Sequence, residues 1–106
     1  MDENIRLTML YDIYGKLLTK KQQEIFEEYY LYNLSLREIA TNKSITYQAV
    51  RDSIKSSEET LNNFEENVNV LSYKNKLKKI YKLCKEEKDL NLRKEEILNL
   101  LSEEDI

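Results

Sequence analysis

The chain has no histidine, no tryptophan and no proline, and holds one glycine and one cysteine among its 106 residues. Without histidine there is no side chain poised to shuttle protons near neutral pH. Without a second cysteine, Cys84 forms no internal disulfide. With no histidine and a single thiol, a zinc site has no ligand set, and no metal is expected. One glycine cannot build a glycine-rich phosphate loop, and no nucleophile–base pairing is present, so no cofactor and no catalytic residue is expected. No apolar run approaches the roughly 20 residues of a membrane span, so no membrane insertion is expected. Asp2 and Glu3 stand where the basic segment of a signal peptide would sit, and a cytoplasmic protein is the expectation.

What remains is rich in Leu, Glu, Lys, Asn and Tyr, and that composition predicts an all-α fold. A single helical domain over residues 1–106 is expected. A helix-turn-helix core occupies 1–66 and a C-terminal helical extension 67–106. The net charge of −3 conceals an uneven distribution. Residues 1–72 hold eight Lys/Arg against twelve Asp/Glu, residues 73–94 nine against three, and residues 95–106 none against five. A basic segment thus lies between acidic neighbours.

The most informative stretch is Ser35–Lys55. Ser35 is a good N-cap, and Glu38 three residues later completes a capping box. Ile39 and Ala40 give a small apolar face. Thr41-Asn42-Lys43-Ser44 breaks the pattern, and Thr46 caps a second helix that carries Ala49, Val50 and Ile54 inward. This is the layout of a helix-turn-helix, whose second helix reads DNA in many proteins. Thr46, Tyr47, Gln48, Arg51 and Lys55 are its candidate nucleic-acid contacts. Gln and Arg have the forked geometry that pairs with adenine and guanine edges. Residues 35–60 nevertheless hold four positive and four negative charges. A net of zero is poor for phosphate neutralisation, so a retained folding core and protein-docking surface is an equal reading.

Upstream, Ile5, Met9 and Ile13, with Leu10 and Tyr14, predict a first helix from Asp2 or Glu3 to Tyr14. Gly15 stands where a left-handed residue ends a helix. Thr19 caps a second helix whose inward face is Ile25, Phe26, Tyr29 and Tyr30. Downstream, Val50, Ile54, Ser57, Leu61, Phe64, Val68 and Leu71 alternate in steps of four and three, a heptad seam. Ile54, Leu61, Phe64, Val68 and Leu71 are its candidate packing or dimer residues, on the chain's own helices or on a second copy.

Asn67 and Asn69 suggest a break. A fifth helix is predicted from about Val70 to Glu87, with Tyr73, Leu77, Ile80, Tyr81 and Cys84 on one arc and Cys84 read as a small core residue. Lys74, Lys78, Lys79, Lys82 and Lys85 cover the opposite arc. They form either a solvated face or a basic stripe able to follow an RNA or DNA backbone. Lys88–Leu92 reads as a linker, and a last helix as Arg93–Leu101 with an acidic tail.

The run L-Y-D-I-Y-G-K-L-L-T-K-K-Q (Leu10–Gln22), the pair Tyr29-Tyr30, S-L-R-E-I-A (Ser35–Ala40) and Q-A-V-R-D-S-I-K (Gln48–Lys55) resemble the YlxM (UPF0122) family of small bacterial helix-turn-helix proteins. The motif half is also similar to region 4 of sigma factors. The resemblance implies a sigma-region-4-like domain with a long helix and C-terminal helices, and a homodimer. It also implies a regulatory or accessory role in the signal recognition particle pathway, with that particle's GTPase or RNA as partner. DNA binding as a transcriptional regulator is the alternative. Four positions depart from the family pattern: Ser44 replaces the usual turn glycine, Thr46-Tyr47 replaces Ser-Arg, and Ser56 replaces an arginine.

Overall fold

The computed structural model describes residues 2–86 and 90–102, and within them every regular element is helical. The elements are α1 (Glu3–Tyr14), α2 (Lys20–Phe26), α3 (Leu36–Lys43), α4 (Tyr47–Val68), α5 (Val70–Glu86) and α6 (Leu90–Ser102). A 3-10 turn, Gly15–Leu17, follows α1, and a wider π turn, Glu27–Leu31, continues α2. The chain divides into two compact units at Asn69, residues 1–69 and 70–106.

Local chemistry sets the boundaries in the first unit. Asp2 caps α1 by accepting from the amides of Asn4 and Ile5. Thr19 caps α2 through a reciprocal box with Gln22, and Ser35 caps α3 through one with Glu38. Asn69 adopts φ 59°, the left-handed conformation that asparagine tolerates, and ends α4. The Gly15 expectation is corrected. Its φ is −55°, right-handed, so conformational freedom is not its role. A Cβ there would lie 2.9 Å from two ring carbons of Tyr11. The glycine leaves room for Tyr11, which stacks on Phe26 with ring centroids 4.4 Å apart.

The core gathers around α4, which packs against α1, α2 and α3. Ile25, Ile39, Ala40, Val50 and Ile54 form one cluster, flanked by Tyr29, Tyr30, Leu34, Leu36 and Ile45. Leu7, Leu10, Tyr14, Leu18, Phe26 and Leu61 are also buried. On α1 the buried face is therefore Leu7, Leu10 and Tyr14, whereas Ile5, placed inward by the i, i+4, i+8 pattern, is exposed. Ala49 is likewise exposed, because Val50 and Ile54 already define the inward arc of α4. Polar clamps join α1 to α4: Arg6 donates to Asn62 at 2.6 Å and the Tyr14 hydroxyl to Glu65 at 2.7 Å.

The seam is shorter than its heptad spacing implies. Ile54, Ser57 and Leu61 are buried, and Phe64 is half-buried against the Tyr14 ring. Val68 is 50% exposed, and Leu71 lies beyond the Asn69 break, buried, on α5. In the second unit α5 packs against α6. The arc Tyr73, Leu77, Tyr81 and Cys84 is exposed, which corrects the reading of Cys84 as a core residue. Helix α6 begins at Leu90, so the linker expectation fails from there onward, while its residues 88 and 89 lie outside the described residues, as do 103–106. No helix among the described residues is long and apolar enough to cross a membrane.

Candidate nucleic-acid interface

The helix-turn-helix is built by three consecutive caps. The Ser35 hydroxyl accepts from the Glu38 amide at 3.1 Å, and Glu38 accepts from the Ser35 amide at 2.9 Å. That backbone hydrogen bond holds the Glu38 carboxyl below its ordinary range. Helix α3 then runs through Thr41 and Asn42 to Lys43, one turn further than the sequence pattern suggests. Ser44 ends it at φ 56°, ψ 42°, the left-handed position that favours glycine. The Ile45 amide donates back to the Ala40 carbonyl at 3.1 Å, the six-to-one bond of a Schellman cap. Ile45 itself packs on the core cluster. The Thr46 hydroxyl accepts from the Ala49 amide at 3.0 Å and starts α4. Thr46 is thus engaged as a cap.

With Val50, Ile54, Ser57 and Leu61 inward, the opposite face of α4 is fixed. Tyr47, Gln48, Arg51, Asp52 and Lys55 are all exposed on its first two turns. Gln48 donates to Asp52 at 2.8 Å, one turn along, so the amide that would read a base has an internal competitor. Among the described residues Arg37, Arg51 and Lys55 make no ion pair. Lys43 differs. It bridges Glu24 at 3.1 Å and Glu28 at 2.9 Å, and the Glu28 hydrogen bond raises its ammonium above the usual range. It ties α3 to α2 and the π turn. Glu58, on α4, accepts from the Tyr30 hydroxyl. Of the charges that cancel in the sequence, Lys43, Glu38 and Glu58 make internal contacts, while Arg37, Arg51 and Lys55 stay exposed alongside Asp52 and Glu59.

Two contributors escaped the sequence reading. Arg37 and Thr41, one turn apart on α3, line a shallow cleft with Ala40 and Tyr47. Both are exposed. The signal was the i, i+4 spacing of two polar residues on the side of α3 away from Ile39.

The basic stripe of α5 is exposed at Lys74, Lys78, Lys79, Lys82 and Lys85. Lys79 and Lys82 border a groove against α6, with Leu83, Glu86, Glu96, Asn99 and Leu100. Two carboxylates share that groove with them. Lys85 stands 5.9 Å from the Tyr81 ring centroid.

These features match known proteins. A family model described as "Putative helix-turn-helix protein, YlxM / p13 like" matches residues 1–101. A UPF0122 protein of Halalkalibacterium halodurans is 38% identical over 101 residues, covering 95% of this chain and 93% of that protein. One from Caldanaerobacter subterraneus subsp. tengcongensis is 43% identical over 83 residues, 77% of this chain and 71% of its own. One from Malacoplasma penetrans is 41% identical over 81 residues, 76% of each. The chain belongs to the UPF0122 family of YlxM-like helix-turn-helix proteins.

Proposed function

We propose that this chain is a non-enzymatic regulatory protein that docks the first turns of α4 on duplex nucleic acid, within the signal recognition particle pathway that the family resemblance implies. The observation that carries the reading is the open face of Tyr47, Gln48, Arg51 and Lys55 beside Arg37 and Thr41. The major groove of B-DNA admits a helix, and A-form RNA has a groove too narrow for one. DNA is therefore the preferred duplex for this face. Arg51 supplies the base or phosphate contact, Tyr47 and Lys55 touch the backbone, and Thr41 and Arg37 extend the footprint. Three outward cations support a shallow salt dependence, with a slope of about −3. A homodimer would bring a second reader helix to a half-site about one helical turn away.

Selection from random DNA duplexes is the test. An enriched half-site is expected, and Arg51→Ala should weaken binding by about 1–3 kcal/mol. Duplex binding indifferent to Arg51→Ala would remove the reading. The second reading is direct contact with the particle's RNA or GTPase, favoured by the exposed lysines of α5. Titration of the full chain with those two components at low salt decides it, and failure of both to bind would end it.

A further inference from the structure

The apolar arc of α5 has a regular spacing that amphipathicity alone does not explain. Val70, Tyr73, Leu77, Ile80 and Cys84 follow one another in steps of three, four, three and four. This is the a/d pattern of a helix that packs on another helix. Helix α6 does not take this face: the groove between α5 and α6 is bordered on α5 by Lys79, Lys82, Leu83 and Glu86. Along the a/d row Tyr73 is 40% and Leu77 65% exposed, and Tyr81 beside it is 68% exposed. Cys84 is exposed as well, and Ile80 is half-buried. The row is about 21 Å long at 1.5 Å per residue, or two heptads.

The flanks say what fits. Lys74, Lys78 and Lys85 run along one side of the row, all three exposed. In a helix pair the residues flanking the seam meet the partner's flanks and set its identity by charge. A second copy of α5 would place lysine against lysine. A phosphate backbone satisfies the lysines but leaves the row of Tyr73, Leu77 and Ile80 in water. An acidic helix satisfies both. We propose that α5 is the docking face for an amphipathic helix of a partner protein, apolar at its own a and d positions and rich in Glu or Asp beside them. The proposal uses a different surface from the α4 face and does not depend on nucleic-acid binding there.

The probe is a labelled synthetic peptide of about 21 residues, three heptads, with Leu and Ile at a and d and Glu at e and g. Titrated against the full chain by fluorescence anisotropy, it should bind. The same peptide with Lys in place of Glu should bind at least about tenfold more weakly. Leu77→Asp should weaken the acidic peptide by about tenfold or more while leaving duplex binding by α4 unchanged. The paired reversal Lys74→Glu with Lys78→Glu, which leaves the apolar row intact, should shift preference toward the basic peptide, and it carries the test if Leu77→Asp lowers helicity. Equal affinity for the two peptides, no binding of the acidic one, or indifference to both variants overturns the proposal. So does single-stranded RNA binding that Leu77→Asp abolishes, which would give the face to nucleic acid. Self-association lost in Leu77→Asp would give it to a second copy.

Discussion

At the scale of single residues the turn of the helix-turn-helix is the sharpest case. Ser44 holds φ 56° where a Cβ is disfavoured, and nothing compensates it beyond the backbone bonds that any residue could make there. The left-handed conformation costs a non-glycine residue roughly 1–2 kcal/mol, while glycine carries an unfolded-state entropy penalty of roughly 0.5–1 kcal/mol. Ser44→Gly is therefore expected to stabilise the fold by about 0.5–1 kcal/mol. A rise in the urea midpoint at unchanged slope is the measurement, and a midpoint that stays or falls would show that the turn is not strained. Gly15 is the counterpart. The one residue able to take a left-handed turn without strain sits in a right-handed one, for the steric reason that Tyr11 lies against it.

At the scale of elements, two tyrosine–carboxylate pairs lock the π turn and its helix against their neighbours. Tyr11 of α1 donates to Glu27, and Tyr30 donates to Glu58 of α4. Partial burial, followed by the hydrogen bond and charge of the paired carboxylate, pushes both phenols well above the ordinary tyrosine value. The folded state thus holds these protons more tightly than the unfolded chain. Their contribution is complete below the unfolded value of about 10 and is lost as pH rises beyond it. Urea stability of the wild type should fall between about pH 9 and 11 more steeply than that of a Tyr11→Phe, Tyr30→Phe double variant, with the gap between the two curves narrowing as pH rises. Parallel curves would disconnect the phenols from stability. Elements also mark what the sequence could and could not tell. The caps at Thr19, Ser35, Thr46 and Asn69 were legible because each is a contact within a few residues. The face of α1 was not, because Ile5, Leu7, Met9, Leu10, Ile13 and Tyr14 surround the helix and no period selects one side. The open face of Tyr47, Gln48, Arg51 and Lys55 was legible from spacing, but the diversion of Lys43 to Glu24 and Glu28 was not, since those acids lie on a different helix. Helix α5 shows the same limit: its pattern revealed an apolar arc and gave no sign that α6 would pack elsewhere.

At the scale of the whole molecule, burial is lopsided. Among the described residues every fully buried large side chain belongs to 2–69, and on α5 and α6 only Leu71 is buried. A core of that kind supports independent folding, whereas a two-helix unit in which Leu71 alone is buried among the described residues falls short of what isolated helices need in water. Helix propensity is not in doubt for α5, with its run of Leu, Lys and Tyr. What is missing is burial, since fully burying a side chain such as Leu77 would contribute about 1.5–3 kcal/mol and its present exposure forgoes most of that. A chain cut after Ser72 should therefore melt cooperatively by circular dichroism within a few degrees of the full protein and keep its α4 face. A peptide of residues 70–106 should show weak helicity without a cooperative transition. Its helicity should rise when the acidic heptad peptide is added, because the stabilisation of α5 then comes from the helix that covers Tyr73, Leu77 and Tyr81. Cooperative melting of the isolated hairpin would mean that α5 and α6 enclose enough apolar surface by themselves, and the reason for expecting a partner helix on α5 would disappear with it.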